Sequence, residues 1–195
     1  MRPDVALVLL AAGHASRFGG GKLLARLDGK PLVEWAMEAA EAAGFTRKIV
    51  VCRPGDGIVE REGWTRVENP DADLGLSTSI RCGVAAVEDA TRIVITLADM
   101  PFVDPDHLSR LGKGSGVEFT AYPNDKRGCP AAFPPSAYPA LRALEGDRGA
   151  ASLDLPDVRL VAPSDPATLR DIDTPRDLAA ASQTAARETI PAANR

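Results

Sequence analysis

Three short apolar runs constrain the possible folds more than any other feature of this chain: DVALVLL at 4–10, KIVVC at 48–52 and RIVITL at 92–97. None alternates between apolar and polar positions, so a strand built from any of them must be covered on both faces. That is the setting of a central strand in a parallel sheet, with helices above and below it. The stretches between the runs have the matching helical period. Residues 31–43 place Glu34, Glu38 and Glu41 on one face, with Pro31 suited to the first turn and Gly44 to the stop. Ser77 is placed to cap a helix running to about Val87, with Ile80, Val84 and Val87 at helical spacing. Asp104-Pro105 reads as the cap and first turn of another helix.

The remaining segments are shorter. A strand is expected near 65–68, and VEFTAY (117–122) alternates as a half-buried strand does. NDKRGCP (124–130) reads as a loop, AAF as an apolar segment, and about Pro135 to Leu144 as a helix. VRLV and LRDID read as short strands, and Thr174-Pro175 opens a last helix. His107, in the first turn of its helix, reads as a surface residue. The expected architecture is α/β, a single-domain three-layer α/β/α sandwich with a mostly parallel, Rossmann-like sheet over residues 1–183. Residues 184–195 are expected to form a disordered tail. Ligands of such sheets bind beyond the carboxyl ends of the strands. Two stretches fall there, 11–22 after the first run and 98–101 after RIVITL.

Charge and cysteine usage narrow the function. A net charge of −4 argues against nucleic acid or an anionic membrane as the main partner. Cys52, Cys82 and Cys129 are odd in number and form no CxxC pair, which gives neither a zinc site nor a disulfide framework and fits a reducing cytoplasm. The apolar start of the chain is too short to span a bilayer.

The stretch LLAAGHASRFGGGK (9–22) follows the first strand with small residues and two cations, Arg17 and Lys22. It is not a Walker loop, because Ser16 stands five before Gly21 and Leu23 follows Lys22. It is not a dinucleotide fingerprint either, since Ala15 stands two after Gly13. That disfavours a nicotinamide oxidoreductase. The chemistry still suits a phosphate ligand. Small residues at 11–13 admit a base or ribose closely, Gly19 to Gly21 can turn N–H groups toward an anion, and Arg17 and Lys22 can offset a triphosphate's charge. A solvated glycine turn with two surface cations is the plain alternative.

LAAGHASRFGGGK resembles the signature of the GT-A-like nucleotidyltransferases, and more closely that of the MobA-like NTP transferases that include the molybdenum cofactor cytidylyltransferases. The likeness runs from about Val5 to Leu178, through KLLARLDGKPLVEWAMEAAEAAG (22–44), VENPDADLGLSTSIRCGV (67–84), TLADMPFV (96–103), GDRGA (146–150) and DIDTPRDL (171–178). The resemblance implies both a set of site residues and a reaction. Arg17, Lys22 and Asp99 would be catalytic, and Leu10, Ala11, Ala12, Gly13, Arg17, Lys22, Thr78, Ser79 and Asp99 would bind the nucleotide. Asp99 and Asp173 would hold Mg²⁺, which favours one or two carboxylates plus phosphate oxygens. The implied reaction would move CMP from CTP to the terminal phosphate of molybdopterin and release pyrophosphate. Ala12, where the related guanylyltransferases tend to carry glycine, points to CTP. A guanylyltransferase, a transferase for a sugar or polyol phosphate, and a non-catalytic nucleotide-binding module are the other readings. The expected partners are CTP and the pterin acceptor, with a molybdoenzyme or its chaperone beyond them. No nucleic acid or membrane is expected, and the chain is expected to be a monomer. Cys129 and Ala151 depart from the histidine and arginine usual at their positions in the family, on the acceptor side.

Overall fold

In the computed structural model, residues 4–13, 16–123 and 125–188 are described. The first apolar run forms β1 (Val5–Leu10). A small hairpin, β2 (Arg26–Leu27) and β3 (Lys30–Pro31), leads into α1 (Leu32–Ala42). Next come β4 (Arg47–Cys52), β5 (Trp64–Glu68), α2 (Leu76–Ala86) and β6 (Arg92–Leu97). The second half adds α3 (Pro105–Lys113), β7 (Glu118–Tyr122), β8 (Lys126–Phe133), α4 (Tyr138–Arg142), β9 (Arg159–Val161) and α5 (Pro175–Glu188). Residues 184–188 of the expected tail therefore belong to α5, and 189–195 lie outside the described residues.

Seven strands form one sheet in the order β5-β4-β1-β6-β8-β7-β9, in which β8 alone runs against the others. The central strand shows why its sequence lacks alternation. Ala6, Val8 and Leu10 pack with Ile80 and Val84 of α2 and Leu141 of α4, while Leu7 and Leu9 pack with Met37 of α1 and Leu108 and Leu111 of α3. Both faces are buried, which makes a three-layer α/β/α sandwich. Each such leucine contributes roughly 1.5–3 kcal/mol by leaving water. Among the described residues no helix is long and apolar enough to cross a membrane.

Five local expectations change. The loop at 124–130 is largely strand β8. Ala131–Phe133 pair with β6, which draws Lys126–Gly128 into a ladder with β7, and a register shift at Phe119/Thr120 absorbs Cys129 and Pro130. The LRDID segment is not a strand; Leu169 ends a 3-10 turn, and one backbone bond, Ile172 N–H to the Asp99 carbonyl at 2.9 Å, anchors the chain ahead of α5. Ser77 is not the cap of α2. Gly75 holds that position, and Ser77 lies one residue inside the helix. The helix expected over 135–144 is split into a 3-10 turn, Pro135–Ala137, and the short α4. His107 is fully buried, because its place on α3 faces the sheet and Thr120 of β7.

Candidate active site

The turns after β1 and β6 continue the hydrogen bonding of the sheet beyond its carboxyl edge. Ala11 N–H reaches the Val51 carbonyl at 2.7 Å, and Ala98 N–H reaches that of Leu10 at 3.0 Å. Asp99 is thereby fixed just past the end of a buried strand. The chain then returns through Gly19, Gly20 and Gly21, with φ of 84°, 98° and 61°, a left-handed run that side chains would strain. The Gly21 carbonyl accepts the N–H groups of Leu24 and Ala25 at 3.0 and 3.2 Å, closing the 3-10 turn Lys22–Leu24. Lys22 is set at the start of that turn. The third segment arrives from the far end of the sequence. Ile172 is fully buried with Leu27 and Leu32, which pins the chain and leaves Asp173 at the rim.

These three segments meet through charge. Lys22 Nζ lies 2.6 Å from Asp99 Oδ2 and 3.2 Å from Asp173 Oδ1. Arg17 adds a 2.9 Å ion pair to Asp173 Oδ2. Burial opposes the Lys22 ammonium, but the attraction and hydrogen bonds of Asp99 and Asp173 outweigh it and hold its pKa above the usual lysine value. Asp171 is pushed up to about 6, first by desolvation and then by Asp99 and Asp173, against the pull of Lys22, although the residue keeps a solvent-open side. The Cys129 thiol is pushed up to about 12 by burial and by Asp171 and Asp99, so it stays protonated.

The two carboxylates fit a hard divalent cation. Asp99 Oδ1 is buried without a hydrogen-bond partner, an oxygen left with lone pairs to give. Lys22 Nζ touches both carboxylates at once, which measures how close they are. Among the described residues no group of three or more His, Cys, Asp or Glu could hold a metal alone. A carboxylate pair completed by phosphate oxygens and water is the arrangement Mg²⁺ tolerates.

A cavity of about 1220 Å³ opens over this cluster, lined by Leu10, Ala11, Ala12, Gly13, Arg17, Lys22, Ser79, Asp99 and Asp173 among others. Thr78 is not in its wall. Its hydroxyl donates to the Gly75 carbonyl at 2.8 Å and accepts from Asn69, so it closes the first turn of α2 from behind. Sequence reasoning missed Arg53, whose Nε binds the Ala12 carbonyl at 3.0 Å and whose Nη1 reaches Asp73 at 2.7 Å. It also gave Asn69 no role, although Asn69 stands in one of the matched segments. A polar residue at the end of a strand and before a turn-rich NPDADLG was the available signal. Arg127, two residues before Cys129, is held by backbone carbonyls and an aromatic ring. It donates to the Ala151 and Leu153 carbonyls at 3.1 and 2.7 Å and lies over the Phe119 ring.

Known proteins resemble this chain in sequence and in fold. The chain is 30% identical over 190 residues to the purine catabolism protein PucB of Bacillus subtilis, covering 87% of this chain and 92% of that one. It is 32% identical over 129 residues to the bifunctional protein GlmU of Halorhodospira halophila, where the match takes 62% of this chain but spans only 27% of GlmU. Among solved structures, Rv0371c of Mycobacterium tuberculosis in complex with manganese superposes with a TM-score of 0.71 at 26% identity, over 93% of this chain and 99% of that one. The family model for the MobA-like NTP transferase domain matches residues 7–161, and with a cationic glycine turn facing two carboxylates at one sheet edge, the chain belongs to that family.

Proposed function

We propose that this protein is a Mg²⁺-dependent cytidylyltransferase that moves CMP from CTP to the terminal phosphate of a molybdopterin-type acceptor. The observation that carries the reading is the contact of one ammonium, Lys22, with both Asp99 and Asp173 at the rim of a cavity that also holds the glycine turn. Asp99 and Asp173 would hold the divalent ion, for which the manganese bound by Rv0371c is a precedent in a related chain. When bound, that ion supplies Lewis-acid stabilisation of charge on the transferring phosphoryl group. Lys22 and Arg17 would then neutralise the triphosphate and the departing pyrophosphate. The turn Ala11–Gly13, with its small side chains, would receive the nucleoside. An oxygen of the acceptor phosphate attacks the α-phosphorus, the bond from that phosphorus to the α–β bridging oxygen breaks, and pyrophosphate leaves. A phosphate monoester with a second pKa of about 6 is mostly ionised at neutral pH, so no general base is required. This matches a site in which the one described histidine, His107, is buried and engaged elsewhere. Ala12 favours CTP within the family likeness.

The test is pyrophosphate release with CTP, GTP, ATP and UTP, each with and without purified molybdopterin. Release with CTP that depends on the pterin is expected. Release with GTP alone overturns the base, and release with a sugar phosphate but not the pterin overturns the acceptor.

A further inference from the structure

Asn69, about 1% exposed at the end of β5, holds an orientation that its partners fix without ambiguity. Its side-chain oxygen accepts the backbone N–H of Asp71 at 3.0 Å, and a backbone amide can only donate. The other end of the side chain is therefore the NH₂ group. Both its protons are engaged, one on Thr78 Oγ1 at 2.8 Å and one on Ser79 Oγ at 3.0 Å. Neither hydroxyl can point its own proton back at Asn69. Thr78 directs its proton to the Gly75 carbonyl. Ser79 lines the cavity, and among the described residues no group accepts its proton.

The place of Ser79 in the fold decides what it would meet. Helix α2 lies over β1 and β4, with Gly83 packed against Val8 and Val51. Asp99 follows β6, on the opposite side of β1. Ser79, in the first turns of α2, thus lines the cavity on the β4 side of β1, and Asp99 lines it on the β6 side. With the triphosphate over Lys22, Asp99 and Asp173, the base would lie toward Ser79.

We propose that Asn69 sets the polarity of Ser79, holding its hydroxyl as a hydrogen-bond donor to the base and so selecting a nucleotide with an acceptor at that edge. The inference rests on the nucleotide reading and goes beyond it by naming the group that makes the choice. At N3 cytosine offers an acceptor where uracil carries a proton, so a donor held opposite N3 separates the two, whereas O2 accepts in both. Asn69 touches no ligand itself; it is a positioning residue.

The decisive variant is Asn69→Asp, which keeps shape but inverts the network. A carboxylate still accepts from Asp71 N–H, but it also accepts from both hydroxyls, which turns the Ser79 lone pairs toward the cavity. Equilibrium affinities for CTP and UTP are measured with Mg²⁺ and no acceptor, alongside thermal melts. The unsubstituted protein should prefer CTP, and N69D should reduce the CTP/UTP affinity ratio by about tenfold or more. Ser79→Ala keeps Asn69 and removes the donor, so it should weaken CTP binding and shrink the same ratio; this variant carries the test if N69D does not fold. An unchanged ratio in a folded N69D, or in S79A, overturns the inference while leaving the nucleotide reading intact. No preference for CTP over UTP in the unsubstituted protein also overturns it. Binding of no nucleotide at all overturns both.

Discussion

His107 shows how much one side chain's surroundings fix its chemistry. Arg110 Nη2 lies 3.1 Å from Nδ1, and an arginine can only donate, so Nδ1 is the lone-pair nitrogen. The proton is then on Nε2, which faces Thr120 Oγ1 at 2.7 Å, and Thr120 passes its own proton to the Pro130 carbonyl at 2.6 Å. A second proton would have to sit on Nδ1, against a guanidinium and away from water. Burial, and after it Arg110, accordingly lowers the pKa from 6.5 to about 4. Linkage gives the sign: below about 6.5 the unfolded chain binds a proton that the folded one refuses, so stability falls as pH drops from about 6.5 toward 4. The loss is on the order of 3 kcal/mol over that window. His107→Gln keeps a donor to Thr120 but cannot titrate. Urea unfolding at pH 7 and pH 5 should show the cost of the substitution shrinking by about 2 kcal/mol at the lower pH; an equal cost at both would refute the neutral imidazole. The sequence does not disclose this residue's role, because one histidine in a first helical turn carries no sign of which face it occupies.

Elements read well where burial is two-sided and poorly where tertiary contacts override local signals. β1, β4 and β6 announce themselves because each holds a run of at least three consecutive apolar residues with no polar residue inside it. β8 does not, since Gly128 and Pro130 are turn formers that become strand only through partners on both sides. The start of α2 is a similar case. Ser77 is a good capping residue, but Gly75 takes the position because φ is 111° there and the loop at 145–149 lies directly against it. A Cβ on Gly75 would overlap the Gly146 backbone, and Ser77 N–H binds the Gly146 carbonyl at 3.1 Å. This contact seats the start of α2, and with it Ser79, at the cavity wall. Gly75→Ala must therefore displace the loop or the helix, and should cost about 2–4 kcal/mol in chemical denaturation. It should also weaken nucleotide binding. Gly116→Ala, at ordinary φ with open space around it, is the control and should stay within about 0.5 kcal/mol. Equal effects of the two substitutions would show that the loop yields freely and does not seat α2.

At the scale of the molecule, the site exists only because distant parts of the chain converge. Lys22 is 77 residues from Asp99 and 151 from Asp173 in sequence. The residues were legible one by one from strand ends and family likeness. Their convergence was legible only through that likeness, which sets Asp99 and Asp173 on one ion; no local pattern encodes it, because it depends on Ile172 being buried among Leu27 and Leu32. One consequence is thermodynamic. A ligand spanning the cavity ties the glycine turn, the end of β6 and the segment before α5 together, and binds only when all three are folded. Mg²⁺ with CTP at a hundred times its Kd should stabilise the protein by about 2.7 kcal/mol, a rise in Tm of about 5–10 °C for a chain of this size. The gain should separate into two parts. On the proposed reading the glycine turn and the cations would bind phosphate without metal, so some shift should survive EDTA. The remainder needs the carboxylates. Asp99→Asn preserves the shape beside Lys22 but removes the charge a divalent ion requires, so it should erase the metal-dependent part and spare the rest. Scanning calorimetry of both proteins, with Mg²⁺ and with EDTA, reads the two parts separately. If the nucleotide shift is the same with and without metal in the unsubstituted protein, Asp99 and Asp173 serve only to anchor Lys22, and the carboxylate pair is a structural clasp instead of a metal site.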